Sequence, residues 1–283
     1  MKKLIVNADD FALHTLVNRA IIQAHQQGVL TSTSILANGE AFEEAVSLAT
    51  DNPNLGIGVH LCLVGGLKTL SAPELVPTLI DPQTGRLYEN YVKFTKKYLS
   101  GQISKKEIYN ELSLQVKKVK ESGLSITHID SHQHMHMLPG IERIAVQICR
   151  EEGLSKSRVS NESVFFSGGY PFTVGRYLGK VALSVFSILA SRTFDSTAIK
   201  YPQYFYGMLA GGNMQEKYLL RIIECINSGT SEIMLHPGLN KAQLVQDLGF
   251  DYNWQLEYEA LISHKVREAI QSKGIELISF KDL

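Results

Sequence analysis

The stretch Thr127-His128-Ile129-Asp130-Ser131-His132-Gln133-His134-Met135-His136 decides how this chain is read. It holds four of the nine histidines in 283 residues, with one carboxylate among them. Side chains alternate faces along a strand, so an extended run would turn His128, Asp130, His132, His134 and His136 to one side. Imidazoles and a carboxylate are costly to bury together unless something uses them, and a divalent metal is the usual reason. The strand itself is expected over 125–131, ending near His132, so the five need not all share a face.

The same pattern recurs elsewhere. Leu4-Ile5-Val6 runs into Asn7-Ala8-Asp9-Asp10. Gly56-Ile57-Gly58-Val59 ends in His60-Leu61, and Ile233-Met234-Leu235 ends in His236-Pro237-Gly238. Each apolar strand delivers a carboxylate or an imidazole near its C-terminal end, which is where parallel α/β folds assemble chemistry. Between them lie helical periodicities. Residues 15–27 carry Leu16, Val17, Ala20, Ile21 and Ala24 at helical spacing and stop at Gly28. Further helices are expected over 40–50, 105–122, 141–152, 214–228 and 254–273. Ser104 and Glu107 have capping-box spacing, and Gly123, Gly153 and Gly274 act as stops. Strands are expected over 3–8, 30–36, 55–61, 231–235 and 275–280, and 64–102 reads as loop-rich. Alternation of this kind predicts an α/β fold with a parallel sheet. Ligands arriving from four strand ends favour a closed or partly closed barrel over an open sheet with one cleft.

We expect one barrel domain over 1–283, interrupted by a lid-like insertion at about 163–211. That insertion contains the mostly apolar run Val181–Ala190. It reads either as an ordinary buried helix or as an apolar wall or membrane-touching surface. Charge is balanced, 28 basic against 28 acidic residues, so nothing favours nucleic acid. Cys62, Cys149 and Cys225 fit no disulfide framework. With no signal-like N-terminus and no run of about 18 apolar residues, a cytoplasmic protein is expected.

Asp10, His60 and His132 form a set of one carboxylate and two imidazoles that could bind a divalent ion and leave positions open for water and substrate. Asp9 beside it could serve as general base and His236 as general acid, the pair that amide hydrolysis needs. Asp130 is expected to orient a ligand imidazole, and His134 and His136 to support the ligands or touch the substrate. His14, His25 and His264 receive no role.

In order and spacing, NADDF (7–11), TSTS (31–34) with Asn38-Gly39, GVHL (58–61), THIDSHQHMH (127–136) and HPG (236–238) resemble the YdjC-like carbohydrate deacetylases, which include the chito-oligosaccharide deacetylases. The likeness covers nearly the whole chain. GVHLCLVGG (58–66), the loop after it and HQHMHMLPGI (132–141) are most similar to the hopanoid-biosynthesis-associated, HpnK-type deacetylases. This resemblance implies a distorted (β/α) barrel of the polysaccharide-deacetylase type. It also implies metal-dependent removal of an acetyl group from an N-acetylated sugar, with Asp9 as base, Asp10, His60 and His132 as metal ligands and His236 as acid. It suggests magnesium, where the ligand set alone equally suits zinc, cobalt or nickel. An N-acetylglucosaminyl hopanoid lipid is the implied substrate, and peripheral membrane contact and a homodimer are compatible with it. Arg158 matches an arginine that could hold the base or the substrate. Ala12 stands where the family usually has glycine, so the turn after Asp10 is expected to differ, and RVSNES (158–163) lacks a proline expected there. A phosphoesterase would call for bridging carboxylates, and a glycosidase for two carboxyls flanking the bond. A non-catalytic sugar-binding protein would have little need to keep base, ligands and acid together.

Overall fold

The computed structural model describes residues 1–283. Strands and helices run β1 (Lys2–Phe11), α1 (Thr15–Gln27), β2 (Ser32–Ile35), α2 (Phe42–Thr50), β3 (Gly56–Leu61), a short antiparallel pair β4 (Ile80–Asp81) and β5 (Arg86–Leu87), then α3 (Tyr91–Leu99), α4 (Lys105–Glu121), β6 (Ile126–Ser131) and α5 (Ile141–Glu152). The second half comprises α6 (Val174–Asp195), β7 (Tyr204–Tyr206), α7 (Glu216–Cys225), β8 (Gly229–Leu235), α8 (Lys241–Leu248), α9 (Trp254–Ile262), α10 (His264–Ser272) and β9 (Ile275–Leu277).

The main sheet is parallel, in the order β6-β3-β2-β1-β8-β7, with β9 paired beside the first half of β1. Its two edges are joined through residues 155–158. Ile129 donates to the Lys156 carbonyl and Arg158 to the Ile129 carbonyl on one side, and Ser157 donates to the Lys200 carbonyl on the other, four residues ahead of β7. The expected distorted barrel is therefore the one observed, closed by single bridges rather than full strands. The strands buried within it carry near-continuous apolar runs, as parallel strands covered on both faces must.

Several expectations change. The segment 64–102 is not merely loop, because it holds the β4–β5 hairpin and helix α3, capped by Asn90 through its side chain. The helix expected over 254–273 is two helices, broken where Ser263 turns to extended backbone and caps α10. Ser104 caps α4 as expected, but the reciprocal half of the capping box is absent. The Glu107 carboxylate instead accepts from the Thr78 N–H and hydroxyl, and the Ser104 N–H is taken up by Thr78 Oγ1.

The insertion contains α6, and it is not an ordinary buried helix. One side packs inward, and the other exposes Val174, Leu178, Val185, Ile188 and Leu189. Inside its base Lys180 and Glu162 form a buried ion pair at 2.9 Å, and Glu162 also accepts from the Gly207 N–H. Burial raises the Glu162 carboxyl above its ordinary range despite Lys180.

Candidate active site

Four strand ends build the site, and two local devices shape it. At the end of β1, Asp10 and Ala12 both take left-handed backbone, at φ +66 and +80. Ala12 thus takes the left-handed backbone that glycine adopts more readily. The turn is held from outside, by the Ala12 N–H donating to Asn18 Oδ1 (2.7 Å) and the Ala41 N–H donating to the Ala12 carbonyl (2.9 Å). At the end of β6, Gln133 and His134 are also left-handed, at φ +53 and +57. That turn ends the period-2 alternation at Ser131, so the five residues of the run do not share one face.

His132 points to the site, and its Nδ1 lies 2.9 Å from Asp10 Oδ1. His60, at the end of β3, places Nε2 3.4 Å from the same oxygen. Candidate ligand atoms of Asp10, His60 and His132 all lie within 4.8 Å of one another. His60 Nδ1 donates to Asp130 Oδ1 at 2.8 Å, which leaves Nε2 facing Asp10. A carboxylate behind a ligating imidazole is the usual support of a metal-binding histidine, so these three residues fit a divalent ion. A second grouping, Asp9, His60 and Asp130, is geometrically close. It suits an ion less well, because both carboxylates are already bound to a guanidinium.

That guanidinium belongs to Arg158, which is fully buried. Its Nη1 and Nη2 donate to the two oxygens of Asp9, each at 2.7 Å. Nη1 also reaches Asp130 Oδ2 at 2.9 Å, and Nε donates to Glu232 Oε1 at 2.8 Å. Asn7 Nδ2 adds a bond to Asp9 Oδ1 (2.8 Å) and another to Ser34 Oγ, whose hydroxyl donates to Asp130 Oδ2 at 2.7 Å. Asp9 is thus fixed in position with its carboxylate lining the cavity.

The charges follow from these contacts. Burial would push the Asp10 carboxyl up, but His132 and His60 hold it well below the usual carboxylate range. Burial would likewise lower the His60 imidazole, but Asp130, Asp9 and Asp10 outweigh it and raise it to about 10 in the metal-free site. Asp130 is driven far down by Arg158 and His60 against its own burial. Glu232 is pushed up by burial to about 7, although Arg158 pulls the other way.

The remaining histidines of the run are neutral supports. His128 is lowered to about 3 by burial and stacks on Phe280 with ring centroids 3.6 Å apart. Gly58 makes room for it, since a Cβ there would sit 2.3 Å from the His128 ring. His136, lowered to about 4 chiefly by burial, bonds through Nδ1 to Ser131 Oγ and donates from Nε2 to the Arg158 carbonyl, and so steadies the arginine from behind. His134 lines the cavity, with Nδ1 2.8 Å from Ser160 Oγ, and burial holds it neutral.

His236, at the end of β8, lines the same cavity as Asp9 and His132. Its backbone N–H donates to Glu257 Oε2 at 2.5 Å, and its Nδ1, buried and without a hydrogen-bond partner, lies 3.9 Å from that carboxylate. Tyr252 packs edge-on against its ring at 5.4 Å. Glu257 is fully buried and also accepts from the Met214 N–H, and burial raises its carboxyl above the ordinary range. Sequence reasoning missed Asn7, Ser34, Glu232 and Glu257. The one local signal was a polar residue at an inward position of an otherwise apolar strand, which Glu232 and Asn7 both show.

The cavity measures about 460 Å³ and has two characters. Asp9, His132, His134 and His236 form its polar floor. Tyr91 and Val92 of α3, with Ala182, Leu183 and Phe186 of α6, form an apolar arm. The arrangement can hold a cation, keep a carboxylate aimed at a neighbouring water, and present an imidazole from the facing strand.

The model of the family described as YdjC-like protein matches residues 3–272. A protein of Brevibacillus brevis named carbohydrate deacetylase is 30% identical over 282 residues, covering 99% of both chains. A chitooligosaccharide deacetylase of Salmonella paratyphi B is 28% identical, covering 99% of this chain and 98% of that one. Among solved structures, an Enterococcus faecalis protein named for cellobiose-phosphate cleavage superposes with a TM-score of 0.80 at 26% identity, over 99% of this chain and 98% of that one.

Proposed function

The chain belongs to the YdjC-like family, and we propose that it is a metal-dependent hydrolase that removes the acetyl group from an N-acetylated amino sugar. One observation carries this reading. One cavity is lined by the arginine-clamped Asp9, the imidazole of His236 and His132, whose candidate ligand atom lies within 4.8 Å of those of Asp10 and His60. The names of the relatives support the substrate class.

Asp10, His60 and His132 would hold the ion. When bound, a divalent metal polarises the amide carbonyl and lowers the pKa of an attached water. The chain's own residues do the rest. Asp9 takes the proton from the attacking water, with Arg158 and Asn7 keeping both its oxygens in place. Asp130 keeps His60 in the orientation that offers Nε2. His236 gives a proton to the departing nitrogen, with the Glu257 carboxylate 3.9 Å from its Nδ1. The carboxylate and two imidazoles suit zinc, cobalt or nickel, and the family likeness favours magnesium.

A finer reading concerns what the sugar is attached to. The apolar arm between α3 and α6 favours a greasy aglycone, in keeping with the likeness to the hopanoid-associated deacetylases. The exposed apolar side of α6 would then rest on the membrane that holds such a lipid.

The test is acetate release from soluble and lipid-linked N-acetylglucosaminyl substrates, with and without chelator, for wild type and Asp9→Asn. Chelator-sensitive release that Asp9→Asn abolishes is expected. Metal binding with no release from any substrate would defeat the deacetylase reading, and equal rates on both substrate forms would defeat the lipid reading alone.

A further inference from the structure

Many of the exposed apolar side chains of this protein gather on two segments. Tyr91, Val92 and Leu99 belong to α3, and Val174, Leu178, Val185 and Leu189 follow one side of α6 at helical spacing. Phe165 and Phe172, on the chain leading into α6, are 91% and 71% exposed. Tyr91 and Val92 also line the active-site cavity, and the Tyr91 hydroxyl lies 3.8 Å from where a Cβ would stand on Gly179 of α6. The apolar surface therefore continues from the outside of both helices into the apolar arm. The opposite side of α6 is buried through Ser184, Ser187, Ala190 and Phe194, so the helix lies along the protein and does not leave it.

Charge follows the same two segments. Residues 90–106 and 163–194 contain eight Lys or Arg and no Asp or Glu. The whole chain is balanced at 28 against 28, so about five acids are expected in stretches of that length. Of the eight cations only Lys93 and Lys180 have a carboxylate partner, in Asp81 and Glu162. Lys96 and Arg176 line the cavity, and Arg176 donates only to the carbonyls of Leu209 (2.7 Å) and Gly211 (3.2 Å). Arg192 follows Val174 by about five full turns and so shares the apolar side of α6. A second copy of this chain is a poor occupant for such a face, because a two-fold contact sets the patch against its own like charges. A medium that is apolar beneath an anionic layer suits both features at once.

We infer that α3, α6 and the segment leading into α6 form a docking face for an anionic lipid bilayer. Phe165, Phe172 and the outer side of α6 reach into the acyl boundary, and Lys96, Arg176 and Arg192 lie at the level of the lipid phosphates. The apolar arm of the cavity then opens toward the bilayer. This rests on the membrane contact proposed above and deepens it, by fixing the charge of the membrane and bringing α3 into the contact. It needs no assumption about the reaction.

The experiment is co-sedimentation of the full chain with vesicles of phosphatidylcholine alone and of phosphatidylcholine with about 30% phosphatidylglycerol. Wild type, Leu178→Asp and Arg192→Glu are used, both substitutions being at exposed positions, with a circular dichroism melt to show that each variant folds. Wild type is expected to bind the anionic vesicles about 10-fold or more tightly than the neutral ones, and to lose that difference in high salt. Leu178→Asp should weaken binding to both kinds of vesicle, and Arg192→Glu should weaken binding to the anionic kind alone, by about 10-fold. Absent binding, equal binding to the two kinds, or binding that neither variant weakens overturns the proposal. A dimer in solution that Leu178→Asp dissociates, without vesicle binding, assigns the face to a second copy and also overturns it. No acetate is measured here, so a failed deacetylase assay and a failed docking face are told apart. Anionic-vesicle binding weakened by both variants supports the docking face even where soluble and lipid-linked substrates react at equal rates.

Discussion

Replacing Arg158 by methionine should damage this protein in a way that depends on pH. The guanidinium is fully buried and serves three carboxylates, those of Asp9, Asp130 and Glu232, at 2.7 to 2.9 Å. Methionine approximates the volume of the side chain and removes every donor. Removing one partner of a buried ion pair costs about 3–5 kcal/mol, because the other charge is left uncompensated. Here three are left, so a loss of about 4 kcal/mol or more is expected at pH 8. At about 2–4 °C per kcal/mol, the melting temperature should fall by roughly 10 °C.

The sign of the pH dependence follows from linkage. In the wild type Asp130 is held below its unfolded value, so its contribution is intact from pH 8 to pH 5 and is lost only in stronger acid. Glu232 already stands at about 7 with the arginine present. Without it, the buried carboxyls titrate above their unfolded values, so the folded variant binds protons that the unfolded chain does not. Its stability therefore rises on acidification, and its deficit relative to wild type should shrink between pH 8 and pH 5. Urea unfolding followed by circular dichroism, with chelator throughout to keep metal binding out of the balance, reads both quantities. A deficit under about 1 kcal/mol, or one equal at the two pH values, would show that Arg158 does not neutralise this cluster.

Three further outcomes are expected. Metal binding at pH 7 should release about one proton, because His60 at about 10 is protonated in the metal-free site and must become neutral to ligate; calorimetry in buffers of different ionisation enthalpy measures it, and no release would refute the assignment of His60. Glu257→Gln should lower kcat by about 10-fold or more with KM little changed, since it removes the charge 3.9 Å from His236 Nδ1, whereas an unaltered kcat would mean that the carboxylate serves only the two backbone N–H groups. Ala12→Gly should stabilise the protein by about 0.5–1 kcal/mol, the relief of left-handed backbone exceeding the entropy added to the unfolded chain; a thermal melt that falls instead would mean that the turn is not strained.

Much of the site could be read from the chain because the information was local. An apolar run ending in a carboxylate or an imidazole announces a strand and its chemical end within six or seven residues. Asp9, Asp10, His60 and His236 are singled out in this way and His132 by the histidine run around it, and the alternation of strands with helical spacing implied the barrel that lines them up. Local reading also explains the misses at α3 and at the break near Ser263. Short amphipathic helices next to turns give weak periodicity, and a single extended residue leaves no mark in a helical pattern.

The tertiary structure decided which groups meet. Arg158 bonds Asp9 across 149 residues and Glu232 across 74, and Ser34 reaches Asp130 across 96. Those pairings depend on the register of parallel strands that touch only after the barrel closes, which the residues of any one segment do not encode. The fate of the histidine run was settled by two left-handed residues, Gln133 and His134. Neither is glycine, so no local preference foretold the turn that sends His132 to the cavity and His136 behind Arg158. Sequence by itself determined the chemistry available and the strand ends that carry it. Barrel closure decided the partners, because a buried charge takes its position from the counter-charges the fold brings to it.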